Sequence, residues 1–325
     1  MTRTIANRSG RQLADPGSKQ PQAGGSKATG GAMIDRMRSS MDRRDLKVRV
    51  GAVSYLNSKP LVEGLAESVP DARVTLDYPS RLADGLARGT LDVALVPSIE
   101  SLTEPDYEII SDACVAARGP VLSVKLYFRK HPGDVRTLAL DEGSRTSAAL
   151  ARIMLAERFG VEPRIEKFTL ESRIEETTAD AVLMIGDRAI LPPSLSFVEE
   201  WDLGQEWLKW TGLPFVFALW VGRRAVDLGR VESALAAARD RGVAQIGEIA
   251  AREAAAMKLP LDVVDRYLRT NLHFMMGSAE RQGLKLYHRL ASQLGLAPAN
   301  RTVRFRDRPV ERRPAARRPA AAGVP

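Results

Sequence analysis

Three features of the sequence predict an α/β chain folded as two lobes around a central cleft. Strand and helix patterns alternate in two separate stretches, a β-rich crossing through Ala117-Arg118-Gly119-Pro120 divides them, and an apolar strand followed by an almost wholly helical segment ends the folded part. In the first stretch, residues 48–53, 74–78 and 93–96 read as strands, with helices at 60–66 and 81–87 between them. That order requires parallel pairing with right-handed crossovers. Residues 107–116 and 121–128 are β-rich runs, and the Gly119-Pro120 pair between them signals a turn or crossing. The second stretch has a short strand at 137–140, a loop at 141–147, a strong helix at 148–159 and strands at 164–168 and 181–185. An apolar strand at 215–221 returns the chain, and helical patterns at 234–238, 246–257, 263–268 and 279–294 form a helical C-terminal part that covers the first unit. The expected domains are a discontinuous first lobe of residues 47–121 plus 220–300, a second lobe of residues 122–219, and unstructured tails at 1–46 and 301–325.

Charge separates the tails from the body. The 325-residue chain carries +8 overall, of which residues 1–46 hold +5 and residues 301–325 hold +6, leaving −3 for the rest. A basic balance confined to the ends removes the main support for nucleic-acid binding, and no nucleic-acid partner is expected. Neither end shows apolar periodicity, so neither buries enough surface to offset the entropy of ordering. The first lacks the apolar stretch of about 7–15 residues that a secretory signal needs. No run reaches the roughly 18 apolar residues of a membrane span. A cytoplasmic protein without membrane insertion is expected. Cys114, the single cysteine, lies in the apolar run Ile109-Ile110-Ser111-Asp112-Ala113-Cys114-Val115-Ala116, which favours an inert buried thiol over a nucleophile. His131, His273 and His288 lie far apart and outside the polar motifs, so neither a metal site nor a nucleophile–histidine arrangement is expected. Nothing in the pattern speaks to oligomeric state.

Three polar junctions at strand ends form the candidate site. Residues 51–65, Gly-Ala-Val-Ser-Tyr-Leu-Asn-Ser-Lys-Pro-Leu-Val-Glu-Gly-Leu, run a buried strand straight into a polar turn, with Pro60 in the first turn of the following helix. Such a junction aims backbone donors and the side chains of Ser54, Asn57 and Ser58 at one point beyond the sheet edge, where a small anion can sit. By spacing alone, Asn57 also fits a plain helix cap. Pro97-Ser98-Ile99-Glu100 ends the third strand as a second polar turn. In Gly143-Ser144-Arg145-Thr146-Ser147, a loop glycine precedes hydroxyls at a helix start, a donor set suited to a carboxylate or phosphate and equally to ordinary capping. Two lobes joined by two crossings allow all three turns to face one cleft. Trp201, Trp207, Trp210 and Trp220 have the spacing of core and interlobe packing rather than of stacking on a ligand ring.

This architecture matches the two-lobed fold of type II periplasmic binding proteins, which serves receptors and enzymes alike. Within it, Ser54-Tyr55-Leu56-Asn57-Ser58-Lys59-Pro60-Leu61, Arg118-Gly119-Pro120-Val121-Leu122-Ser123-Val124, Gly143-Ser144-Arg145-Thr146-Ser147 and Trp210-Thr211-Gly212-Leu213-Pro214-Phe215-Val216-Phe217-Ala218 occur in order. Over roughly residues 48–300 the chain thereby resembles the chorismate dehydratases of the futalosine route to menaquinone. The resemblance implies loss of water from chorismate to give 3-[(1-carboxyvinyl)oxy]benzoate, with no cofactor and with the substrate's own enolpyruvyl carboxylate as base. It implies catalytic roles for Asn57 and Ser123. On that reading Ser144, Arg145, Thr146 and Ser147 bind a substrate carboxylate, Ser54, Tyr55 and Ser98 line the opposite wall, and Arg118 and Lys59 are candidate charge partners. Asp187 is expected to be structural, paired with Arg188 or Arg145, because a free carboxylate beside a dianion is costly. A sibling enzyme that makes 1,4-dihydroxy-6-naphthoate shares the fold, but its catalytic histidine has no evident match here. A cytoplasmic small-anion-binding protein or sensor on the same fold is the alternative.

Overall fold

The computed structural model describes residues 47–299 and 301–306, and the tail readings for 1–46 and 307–325 lie outside the described residues. Strand β1 (Val48–Val53) lies between β2 (Ala72–Asp77) and β3 (Val93–Pro97) and pairs with both in parallel, as the alternation requires. Strand β10 (Phe215–Arg223) runs antiparallel beside β3, β4 (Tyr107–Ala117) beside β10, and β11 (His273–Met275) beside β4, which completes a six-stranded sheet. A second sheet has the order β7 (Arg164–Phe168), β6 (Thr137–Asp141), β8 (Ala181–Ile185), β5 (Val124–Phe128), β9 (Glu199–Asp202). Strands such as β3 and β8 are buried along their whole length and read as unbroken apolar runs, the pattern of a sheet covered on both faces.

Short helices α1 (Lys59–Val62) and α2 (Leu65–Ser68) replace the single helix expected at 60–66, because Gly64 turns left-handed at φ 64° between them. Next in the chain are α3 (Pro79–Ala87), α4 (Arg145–Phe159) and α5 (Leu203–Thr211). The helical C-terminal part contributes α6 (Val231–Ala244), α7 (Ile246–Met257), α8 (Leu261–Arg266) and α9 (Ser278–Gln293).

Two expected limits move. The chain is back in the first sheet by Phe215 rather than at 220, so the return crossing precedes β10. Residues 301–306 are not part of a free tail. Ile109 N–H donates to Arg304 C=O at 2.8 Å, Arg306 N–H donates to Ile109 C=O at 2.9 Å, and the Arg306 guanidinium pairs with Glu108. Arg281 of α9 stacks 3.8 Å above the Phe305 ring, a cation–π contact that covers the strap.

Helix α6 fixes the turn that carries Asn57 by lying directly on α1. A methyl group at Gly242 would stand 2.0 Å from the Pro60 carbonyl oxygen. Replacing a helical glycine by alanine ordinarily gains about 1 kcal/mol of propensity, but overpacking against rigid backbone costs about 1–3 kcal/mol or more. Gly242→Ala is therefore expected to lower the unfolding free energy, measured in urea, and a more stable variant would contradict this packing.

Candidate active site

The crossing into the second lobe is the most constrained backbone of the cleft. Leu122 sits at φ 65°, a conformation that costs an L-residue roughly 1–2 kcal/mol, and Ser123 N–H closes a tight turn on Val121 C=O at 2.8 Å. The Asp202 carboxylate holds this turn by accepting from Val121 N–H at 2.8 Å and Leu122 N–H at 2.7 Å. The same carboxylate caps α5 through Gly204 N–H and Gln205 N–H. Ser123 is thereby fixed with its side chain fully buried, and its Oγ has no hydrogen-bond partner among the described residues.

On the first lobe, β1 ends in a 3₁₀ turn, Leu56–Ser58. Ser58 turns away from the cleft: its hydroxyl donates to the Val53 and Tyr55 carbonyls. Asn57 does not act as a cap, and its buried Oδ1 has no partner among the described residues. Ser54 is anchored through its N–H on Asp77 C=O and does not line the cavity.

The α4 N-terminus supplies the third junction. Ser144 is the N-cap and accepts from Ser147 N–H at 3.4 Å and Ser147 Oγ at 3.2 Å, so the capping and cavity readings hold together. Thr146 and Ser98 face each other instead of the cavity, with their hydroxyls 3.4 Å apart and Ile99 N–H donating to Thr146 Oγ1 at 3.1 Å. Arg145 lies at the rim, where it pairs with Glu100 at 3.0 Å and with Asp84. These three expected binding residues join the lobes.

Asn57, Tyr55, Ser123, Ser144 and Ser147 come together around a narrow cavity of about 40 Å³. Its remaining walls are mostly apolar, with Val53 and Pro97 from the first unit, Val115, Phe217 and Ala218 from the antiparallel strands, and Ile185 from β8. Sequence reading pointed to the polar junctions and missed these walls. The nearly unbroken buried runs of β4 and β10 mark them as core, and nothing local separates a cavity wall from ordinary packing. Tyr55 closes over Gly186 of the opposite lobe, where a Cβ would stand 2.8 Å from the ring. None of the four tryptophans or three histidines lines this cavity. Cys114 is fully buried, and desolvation pushes its thiol pKa up.

The expected charge partners are engaged elsewhere. Arg118 pairs with Glu280 at 2.8 Å, Lys59 with Glu253 at 3.4 Å, and Arg188 with Asp141. Asp187 pairs with neither Arg188 nor Arg145, but accepts from Leu56 N–H at 3.0 Å across the cleft. Burial raises its carboxyl pKa to about 6, against the lowering effect of that hydrogen bond. Among the described residues, no group of three or more His, Cys, Asp or Glu side chains is arranged to hold a metal ion, and no helix is long and apolar enough to cross a membrane.

Two sheets of this topology meeting over a closed polar cleft define a periplasmic-binding-protein-like fold. Solved structures agree. The chain superposes on a protein of Archaeoglobus fulgidus with a TM-score of 0.59 at 16% identity, covering 77% of this chain and 98% of that one. It superposes on the alkanesulfonate-binding protein of Xanthomonas axonopodis, bound to MOPS, with a TM-score of 0.52 at 16% identity, covering 78% and 94%. Residues 48–293 match the menaquinone biosynthesis family. A Thermus thermophilus protein named chorismate dehydratase is 33% identical over 266 residues, which is 76% of this chain and 95% of that one. The chain belongs to the menaquinone biosynthesis family.

The raised Asp187 pKa has a signed consequence. The folded protein binds this proton more tightly than the unfolded chain does, so the associated stability is present below about pH 4 and is lost as pH rises through about 6. Asp187→Asn should reduce that loss, leaving the variant more stable than wild type at pH 7 by up to about 3 kcal/mol. Urea unfolding at pH 4, 5, 6 and 7 measures it, and parallel pH profiles for the two proteins would refute the assignment.

Proposed function

We propose that this protein is a chorismate dehydratase, a carbon–oxygen lyase that removes water from chorismate to give 3-[(1-carboxyvinyl)oxy]benzoate. One observation carries the reading: the two positions that the family resemblance links to catalysis, Asn57 and Ser123, line one cavity, each with a buried side-chain oxygen unpartnered among the described residues.

The reaction asks little of its catalyst. Loss of the ring hydroxyl with the neighbouring ring proton makes the ring aromatic, so the driving force lies in the substrate. Removal of that proton leaves charge delocalised through the diene into the ring carboxylate. The substrate's enolpyruvyl carboxylate takes the proton, the C–O bond breaks, and the hydroxyl leaves as water once protonated. The protein's share is to hold the dianion so that its own base reaches the proton, and to offer donors where charge develops. Asn57 orients the reacting part of the ring and Ser123 hydrogen-bonds near the leaving hydroxyl or the base. Ser144 and Ser147, backed by the positive end of the 15-residue α4, bind a carboxylate. The apolar walls exclude water.

Incubating the purified protein with chorismate should yield the benzoate product. Asn57→Ala and Ser123→Ala should each cut turnover by about 10²-fold or more while circular dichroism stays unchanged. Chorismate binding without turnover by the wild-type protein would instead favour a small-anion sensor, and wild-type rates in both variants would refute the assigned roles.

A further inference from the structure

Tyr267 brings a third polar atom to the Asn57–Ser123 pair. It opens the π-helical turn Tyr267–Asn271 that follows α8, and it is fully buried. Single π-turns within helices recur at functional sites. The Tyr267 hydroxyl neighbours both the Ser123 hydroxyl and the Asn57 side chain closely enough for each to influence its proton, without a well-formed hydrogen bond to either. Tyr267 Oη, Ser123 Oγ and Asn57 Oδ1 are thus all buried without a partner among the described residues. The placement is set independently by the far end of the same turn, where Asn271 Nδ2 donates to Pro120 C=O at 2.9 Å, three residues before Ser123. Folded proteins rarely leave a buried hydroxyl unpaired, and three such oxygens in one place point to a role in function.

We infer that Tyr267 is a positioning residue for the dehydration: its phenol O–H donates to Asn57 Oδ1 during the reaction, which turns the amide N–H₂ toward the substrate. Tyr267 itself does not line the cavity, so it acts through its neighbour. Burial also raises the phenol's pKa, which keeps it a donor. The inference rests on the dehydratase assignment above.

The test is Tyr267→Phe in the full chain, which removes one oxygen and keeps the ring. The expected result is a kcat about 10-fold lower, a KM within about twofold of wild type, and a melting temperature equal or higher, because the deleted hydroxyl has no good partner. Adding Tyr267→Phe to Asn57→Ala should cost no further activity, since the effect runs through Asn57. An unchanged kcat, an equal 10-fold loss in the Asn57→Ala background, or a lowered melting temperature would each overturn the role of Tyr267. Absence of turnover by the wild-type protein is a separate outcome that removes the dehydratase assignment and this role with it.

Discussion

The cavity depends on one carboxylate. Asp202 accepts hydrogen bonds from the backbone of two segments: Val121 and Leu122 in the crossing between β4 and β5, and Gly204 and Gln205 in the first turn of α5. Those charge-assisted bonds hold Leu122 in a left-handed conformation that a non-glycine residue otherwise avoids, and the next side chain along is Ser123. Without that turn, alternation would carry the crossing into β5 as plain strand and change the face that Ser123 presents. The strain sits in the segment that presents Ser123 to the cavity.

Polar contacts reinforce an apolar join between the lobes, in which Trp207 of α5 packs edge-on against Phe215 of β10 and Tyr287 of α9. Leu56 N–H to Asp187, Ile99 N–H to Thr146, Tyr287 O–H to the Thr146 carbonyl, Ser80 N–H to the Gly143 carbonyl, and the Arg145 pairs with Asp84 and Glu100 all span the cleft. Each neutral bond among them contributes about 0.5–1.5 kcal/mol net, beside the one continuous apolar cluster that the two sheets share. Ser98 and Thr146, which by spacing resemble binding residues, instead meet each other, and Arg145 meets Glu100 and Asp84. Hydroxyls and charges at facing strand ends serve a ligand or serve the opposite lobe, and only the three-dimensional distance decides between them.

Much of the architecture was legible because it follows from periodicity. The alternating strands and helices of both units, the capped start of α4 and the crossing at Gly119-Pro120 each leave a local signal. What escaped lacks one. Strand β9 is the charged edge segment Glu199–Asp202, and β11 is three residues inside a helical region. The 301–306 strap hides Val303 and Phe305 among arginines, and its pairing partner Ile109 lies almost two hundred residues away. Asn57 and Ser58 are adjacent polar residues with opposite fates, separated only by whether a carbonyl lies in reach of the hydroxyl. Tyr267 reads as an ordinary core aromatic, and its significance comes from where Asn57 and Ser123 are.

The absence of a lining cation also has a physical reading. Arg118, Lys59 and Arg188 are each paired with a carboxylate, no charged side chain among the described residues lines the cavity, and residues 47–306 as a whole carry no net charge. An anion entering this site is met by a helix N-terminus, hydroxyls and an amide, groups that bind without neutralising. For a substrate that supplies its own base this is an advantage: a nearby ammonium or guanidinium would lower the basicity of the very carboxylate that must take the proton. Dipolar recognition leaves that carboxylate basic, and the cost is weaker ground-state binding than an ion pair would give. A binding-protein cleft that clasps anions through hydroxyls and helix ends is therefore already close to what such an elimination requires, and the added demand is that the polar atoms be held rigidly in place.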